Sequence, residues 1–123
     1  MSLIFLVDDD PDVRELVAYK LVQCGHEVLS AANGQEALAL VPGAKPALLL
    51  LDVMMPGMSG FEVLEQLRSR ADTKLLPIIM LTAKAQDTDT ERGFTLGAND
   101  YVFKPFSPRE LVNRVNLQLV PVG

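Results

Sequence analysis

Ala47-Leu48-Leu49-Leu50-Leu51-Asp52-Val53-Met54-Met55-Pro56-Gly57-Met58-Ser59-Gly60 is the stretch from which the fold can be read. Four leucines run without interruption into one carboxylate, Asp52, and Pro56-Gly57 then break the chain. A continuous apolar run of strand length, bounded by turn residues, belongs to a strand buried on both faces. Such strands lie in parallel sheets covered by helices. In open sheets of that kind, ligands and chemistry gather beyond the carboxyl ends of the strands. Asp52 stands at such an end. A buried charge is costly without partners, so the rest of the chain has to supply what meets it.

Upstream, Leu3 to Val7 is a second apolar run and ends in Asp8, Asp9 and Asp10. Asp10 caps a helix with Pro11 at its first position, where the missing N–H does no harm. Val13, Leu16, Val17, Leu21 and Cys24 recur at helical spacing until Gly25 stops the helix. Glu27 to Ala31 reads as a short strand. Asn33 caps a helix carrying Ala37, Leu38 and Val41, and Pro42-Gly43 is expected to end it.

Downstream, Ser59 caps a helix with Phe61, Leu64 and Leu67 on its buried face, and Ala71 to Leu75 reads as a polar loop. Pro77 to Leu81 is another buried strand and ends in Thr82. Ala85 to Leu96 is a weak helix, because Gly93 costs about 1 kcal/mol relative to alanine and the threonines add a little more. Gly97 closes it. Asp100 to Phe103 is a short strand ending in Lys104-Pro105. Ser107-Pro108-Arg109-Glu110 is a capping box, followed by the stripe Leu111, Val112, Val115 and Leu119, and Pro121 ends the structure. Five strands alternate with five helices. The predicted fold is therefore α/β, a doubly wound parallel sheet with right-handed crossovers.

The 123 residues suit one domain, and a hydrophobic content of 49% suffices for one core. A net charge of −5 argues against direct binding to nucleic acid or an anionic membrane. The lone Cys24 excludes an internal disulfide and reads as a buried or helix-end thiol in a reducing compartment. No apolar stretch approaches the roughly 18 residues of a membrane span, and the first residues lack a signal peptide's pattern. The expected location is cytoplasmic.

The residues that carry chemistry fall at four strand ends: Asp8 and Asp9, Asp52, Thr82, and Lys104. If all strands are parallel, these lie on one edge of the sheet. Three carboxylates there repel one another, and a hard divalent cation, Mg2+ or Mn2+, relieves the repulsion through oxygen ligands. Lys104 adds a fixed positive charge and Thr82 a hydroxyl donor. Together they suit phosphoryl transfer to a carboxylate, with Asp52 as nucleophile. Singly, each has a plainer reading: Asp52 a helix cap, Asp8 to Asp10 a solvated turn, Thr82 a turn residue, Lys104 a surface lysine. The conjunction carries the inference. His26 receives no role. Met54 and Met55 are packing residues, since thioethers are poor partners for Mg2+.

Leu-Val-Asp-Asp-Asp-Pro at 6–11, Leu-Asp-Val-Met-Met-Pro-Gly-Met-Ser-Gly at 51–60, Leu-Thr-Ala at 81–83 and Asp-Tyr-Val-Phe-Lys-Pro-Phe at 100–106 stand in order along the chain. In this the sequence resembles the receiver domain of two-component response regulators, over essentially its whole length. The resemblance implies a flavodoxin-like (βα)5 fold with strand order 2-1-3-4-5. It implies that Asp52 accepts a phosphoryl group from a sensor histidine kinase or phosphotransfer protein. Asp9, Asp52 and the backbone carbonyl of Met54 would bind Mg2+ directly, and Asp8 through a water. Lys104 and Thr82 would contact the phosphoryl group, and Tyr101 would be the aromatic residue that turns inward when Thr82 moves. A cis Lys104-Pro105 bond is implied too. Met54 holds a position that influences acyl-phosphate lifetime, and a thioether cannot position a water there.

The second half looks most like the subfamily that carries a winged-helix DNA-binding domain and dimerises through its fourth helix, fifth strand and fifth helix. Arg92, Asp100, Glu110 and Arg114 match charged positions of that face, and Asn99 departs from it. The expectation is one receiver domain over residues 1–123 with no effector domain, either stand-alone or cut before its output domain, and forming at most a weak homodimer.

Three rival readings fit the residues less well. A phosphohydrolase of haloacid dehalogenase type would place its nucleophile after the first strand and its paired acids late; here that order is reversed. A flavodoxin-like electron carrier would want a phosphate loop rich in Ser, Thr and Gly where three aspartates stand. An inert receiver-like scaffold would not need Asp9, Asp52, Thr82 and Lys104 together.

Overall fold

The leucine run forms the central strand of a five-stranded parallel sheet. The computed structural model describes residues 2–83 and 87–119, apart from the side chains of 87–90. In chain order the elements are β1 (Leu3–Val7), α1 (Pro11–Gln23), β2 (Glu27–Ala31), α2 (Gly34–Ala44), β3 (Leu48–Asp52), α3 (Gly60–Arg68), β4 (Ile78–Thr82), α4 (Asp87–Leu96), β5 (Asp100–Phe103) and α5 (Pro108–Leu119). The sheet order is β2-β1-β3-β4-β5, with every pair parallel. The expected helix start at Ala85 and chain stop at Pro121 lie outside the described residues.

The four leucines divide by parity. Leu49 and Leu51 enter one core, with Ala37 and Val41 of α2 and Val63, Leu64 and Leu67 of α3. Leu48 and Leu50 enter the other, with Val17 and Leu21 of α1 and Leu111, Val112 and Val115 of α5. All four are fully buried. Successive strand residues point to opposite faces, so only a sheet covered on both sides can hide such a run. Each leucine contributes roughly 1.5–3 kcal/mol on burial.

Sequence signals set most helix ends. Asp10, Asn33 and Ser59 accept from the N–H groups of Asp12, Glu36 and Glu62, and Ser107 Oγ accepts from Glu110 N–H at 3.0 Å. Gly25, with φ 92°, ends α1: Gly25 N–H donates to Val22 O and His26 N–H to Leu21 O. Only a residue at ease in the left-handed region closes a helix this way.

Two expectations are corrected. Pro42-Gly43 does not end α2, which continues to Ala44 and is capped by Lys45 in the left-handed region. Lys45 N–H donates to Val41 O at 3.1 Å, so helical bonding resumes past the proline. The proline forfeits one bond near the helix end, and packing of the buried Val41 outweighs that loss. On α1 the core-facing stripe is Val17 and Leu21, buried, with the partly buried Val13, spaced by four; Leu16 and Cys24 lie outside it, exposed. Cys24 is the helix-end thiol of the two readings. Among the described residues, no helix is long and apolar enough to cross a membrane.

Candidate functional site

Register brings the acids together. Val7 of β1 pairs with Leu51 of β3, so Asp8 and Asp52 follow side by side at the same sheet edge. Asp8 is fully buried and Asp52 is 3% exposed, while Asp9 is exposed. One oxygen from each of the three carboxylates lies within 4.8 Å of the others. That is a donor set suited to a hard divalent cation, because it supplies oxygen only and gathers more negative charge than the protein neutralises.

Each buried carboxylate has partners of its own. Asp8 Oδ1 accepts from Asp10 N–H at 3.0 Å, and Asp8 Oδ2 lies 2.8 Å from Lys104 Nζ. Asp52 Oδ1 accepts from Met54 N–H at 3.3 Å and lies 3.6 Å from the same lysine nitrogen. One ammonium thus bridges two carboxylates. Burial, followed by the charge of Asp8, pushes the Asp52 carboxyl up to about 7, against the pull of Lys104. Burial alone would lower the Lys104 pKa, but the bonds to Asp8 and Asp52 outweigh it and the net shift is upward.

Thr82, 7% exposed, ends β4 one residue beyond the partner of Asp52, and its carbonyl accepts from Lys104 N–H at 2.6 Å. The Lys104–Pro105 bond is cis, as the resemblance implies. The Met54 side chain is 72% exposed rather than in the core, so of the two methionines only Met55 packs. Asp8, Asp9, Asp52, Thr82 and Lys104 are therefore gathered at one sheet edge.

Tyr101 of β5 pairs with Met80 of β4, two residues before Thr82. Its ring is inward, 5% exposed, with ring centroids of Phe94 and Phe103 at 5.1 and 6.1 Å. The charged positions of the expected dimer face are partly engaged within the chain. Arg114 pairs with Asp100 at 3.2 Å, Arg92 lies 4.7 Å over the Phe61 ring, and Glu110 is exposed. Asn99 Oδ1 accepts from Ile78 N–H and from Arg68, both at 2.9 Å.

Sequence reasoning missed two supports. Arg14 donates to the Asp8 carbonyl at 2.6 Å, fixing the chain where the acids begin. No local signal marks that bond. Gly60 starts α3 hard against the back of Asp52: its N–H donates to Val53 O at 2.9 Å, and a Cβ there would overlap the Asp52 carbonyl and lie 2.9 Å from Val53 Cα. A Ser-Gly pair seven and eight residues beyond a strand-end acid, at the next helix start, is a signal that could have found it.

Comparisons with known proteins agree with this geometry. The response regulator receiver domain profile matches residues 4–116. The chain is 46% identical over 120 residues to the phosphate regulon transcriptional regulatory protein PhoB of Pseudomonas aeruginosa, covering 98% of this chain and 52% of PhoB. It is 46% identical over 112 residues to the alkaline phosphatase synthesis transcriptional regulatory protein PhoP of Bacillus subtilis, covering 91% and 46% respectively. It thus spans about half the length of these relatives. Chemotaxis protein CheY4 of Vibrio cholerae superposes with a TM-score of 0.93 at 35% identity, over 97% of this chain and 99% of that one. The BeF3-activated receiver domain of Klebsiella pneumoniae RstA does so at 0.89 and 33%, over 97% and 99%. Neither the phosphohydrolase nor the electron-carrier reading finds support. With acids, threonine and lysine converging at one edge of a 2-1-3-4-5 sheet, and relatives of this kind across the whole chain, the protein belongs to the receiver domains of two-component response regulators.

Proposed function

We propose that Asp52 is the phosphoacceptor of this domain and that Lys104, Thr82 and the acids beside it serve that one transfer. The observation that carries the reading is a nucleophile-bearing strand end, 3% exposed, with two further carboxylates and a lysine ammonium within reach. An Asp52 oxygen attacks the phosphorus of a phosphohistidine; the P–N bond breaks, the new P–O bond forms, and the imidazole leaves with a proton. Lys104 is placed to follow the charge, since it already lies between Asp8 and Asp52 and can turn toward a phosphoryl oxygen. Thr82 is the hydroxyl donor at the neighbouring strand end. A divalent cation, Mg2+ or Mn2+, held by Asp9, Asp52 and the Met54 carbonyl, with Asp8 acting through a water, would neutralise the phosphoryl oxygens. The domain is a signalling element rather than an enzyme with a separate substrate; its own phosphorylation and dephosphorylation are the reactions it promotes.

The donor is a sensor histidine kinase or phosphotransfer protein. Beside Lys104, Val13 and Leu16 of α1 with Ala83, Pro105 and Phe106 line a shallow apolar hollow, and Tyr19 and Val22 continue the exposed apolar face along α1. That surface suits a partner helix bringing its histidine over Asp52. The output surface is α4–β5–α5, through which Thr82 and Tyr101 change binding to an output domain, another partner or a second copy. The setting is cytoplasmic, with no direct contact to nucleic acid or membrane by this domain.

Incubation with phosphoramidate and Mg2+ followed by intact-mass measurement tests the assignment. Wild type gains one phosphoryl mass and Asp52→Asn does not. Gain by Asp52→Asn under the same conditions sinks the proposal.

A further inference from the structure

The inward ring of Tyr101 meets α4 at Gly93. A Cβ built on Gly93 would overlap the Tyr101 hydroxyl and lie 2.5 Å from Cζ and 2.9 Å from Cε1. No real methyl and ring share such space. Glycine is also a poorer helix former than alanine, so residue 93 is not explained by α4 alone. Among the described residues, the rings of Phe94 and Phe103 lie beside it. β5 is the edge strand of the sheet, so open space lies beyond it for a displaced ring. The atoms that a new methyl would meet are the far end of a side chain, not backbone. What gives way is therefore the ring rather than the helix.

We propose that Gly93 is the seat of Tyr101: the inward ring position exists because residue 93 has no side chain, and one methyl group there holds the ring outward whatever the state of Asp52. Gly93 acts as a positioning residue through Tyr101. Its regulatory consequence rests on the reading of Thr82 and Tyr101 as the switch; the seat itself does not. A ring held outward adds an aromatic side chain to the α4–β5–α5 surface beside Phe94 and Phe103, which are 48% and 40% exposed. The Gly93→Ala domain would then present its ring-out surface permanently, and partner binding that needs the inward ring would be lost even after phosphorylation.

Tyr19 is the other of the two tyrosines, so the test uses a Tyr19→Phe background with 3-fluorotyrosine incorporated. A single fluorine signal then reports Tyr101, and its shift between H2O and D2O reports exposure. With a beryllofluoride mimic and Mg2+ present, the parent should show a protected ring. Gly93→Ala should show a solvent-exposed one. A melting series adds a readout that a structural role would not move: Gly93→Ala should raise Tm in a Tyr101→Ala background, where the space is free, and fail to raise it when tyrosine is present. A ring still protected in Gly93→Ala, or an equal Tm change in both backgrounds, overturns the proposal. If the parent signal ignores a beryllofluoride mimic with Mg2+ while Gly93→Ala behaves as stated, the seat stands and the phosphoryl-driven switch is what fails.

Discussion

Asp52 carries its charge at a cost set by burial and by Asp8, and that cost has a pH signature. Its carboxyl is raised to about 7 in the fold, against about 3.9 in an unfolded chain. Between those values the native state holds more protons than the unfolded one, so stability falls as pH rises through the window. The penalty is absent below about pH 4, complete above about pH 7, and at most about 4 kcal/mol at 1.36 kcal/mol per pH unit. Chelated, metal-free protein should therefore melt higher at pH 5.5 than at pH 8. Asp52→Asn should flatten that slope and melt above wild type at pH 8. Millimolar Mg2+, binding only the native state, should stabilise wild type more at pH 8 than at pH 5.5, and Asp9→Ala should lose most of the effect; an equal shift in that variant would exclude a site built on Asp9. Lys104 opposes the same repulsion. Lys104→Met leaves Asp8 buried without its counter-charge and should cost roughly 2–4 kcal/mol in urea unfolding, much of it recovered in Asp8→Asn/Lys104→Met. These acids and the lysine were legible because each ends an apolar run. The Arg14 bond to the Asp8 carbonyl was not, since a guanidinium reaching back along the chain leaves no periodic trace.

At the scale of elements, β3 answers to both cores. Leu50 faces the α1–α5 side, and Leu50→Ala should cost about 2–5 kcal/mol through lost burial and a residual cavity. Gly60 is more demanding than its place at a helix start suggests. Gly60→Ala puts a methyl into the Asp52 carbonyl, which is backbone and cannot swing aside. It should lower the melting temperature and slow phosphorylation together; a variant that melts as wild type does would show that α3 shifts freely. The alternating elements, their caps and the two-faced strand could be read from spacing, because apolar period and capping chemistry are local. The end of α2 could not. Pro42 is a strong local stop, and only the tertiary packing of Val41, unseen in the sequence, carries the helix past it. Leu16 failed for the complementary reason: it keeps helical spacing with Val13 but lines the hollow at Pro105 and Phe106 rather than entering the core.

At the scale of the whole molecule, association is limited by the bonds it would replace. Arg114 and Asp100 already pair within the chain, and Arg92 rests on Phe61. A self-complementary contact through α4–β5–α5 would exchange these for equivalent bonds across an interface. Exposed ion pairs contribute about 0–1 kcal/mol each, so the exchange yields little. Burial of Phe94, Phe103 and Leu117, 48%, 40% and 68% exposed, is the larger available gain. A homodimer should therefore be weak, and salt should act in two directions: screening weakens the new pairs but also frees Arg114 from Asp100. The apolar part of the contact is not screened at all. Sedimentation equilibrium with and without beryllofluoride and Mg2+, at low and high salt, separates these contributions. The expected result is a dimer in the tens of micromolar or weaker, strengthened by the mimic by no more than the few kcal/mol that one new charged hydrogen bond at Thr82 can bias, with modest salt dependence. Hydrogen exchange over residues 91–103 should change with the mimic at every protein concentration. Exchange that changes while the mass stays monomeric assigns the α4–β5–α5 surface to a different partner; exchange that does not change leaves that surface uncoupled from Asp52.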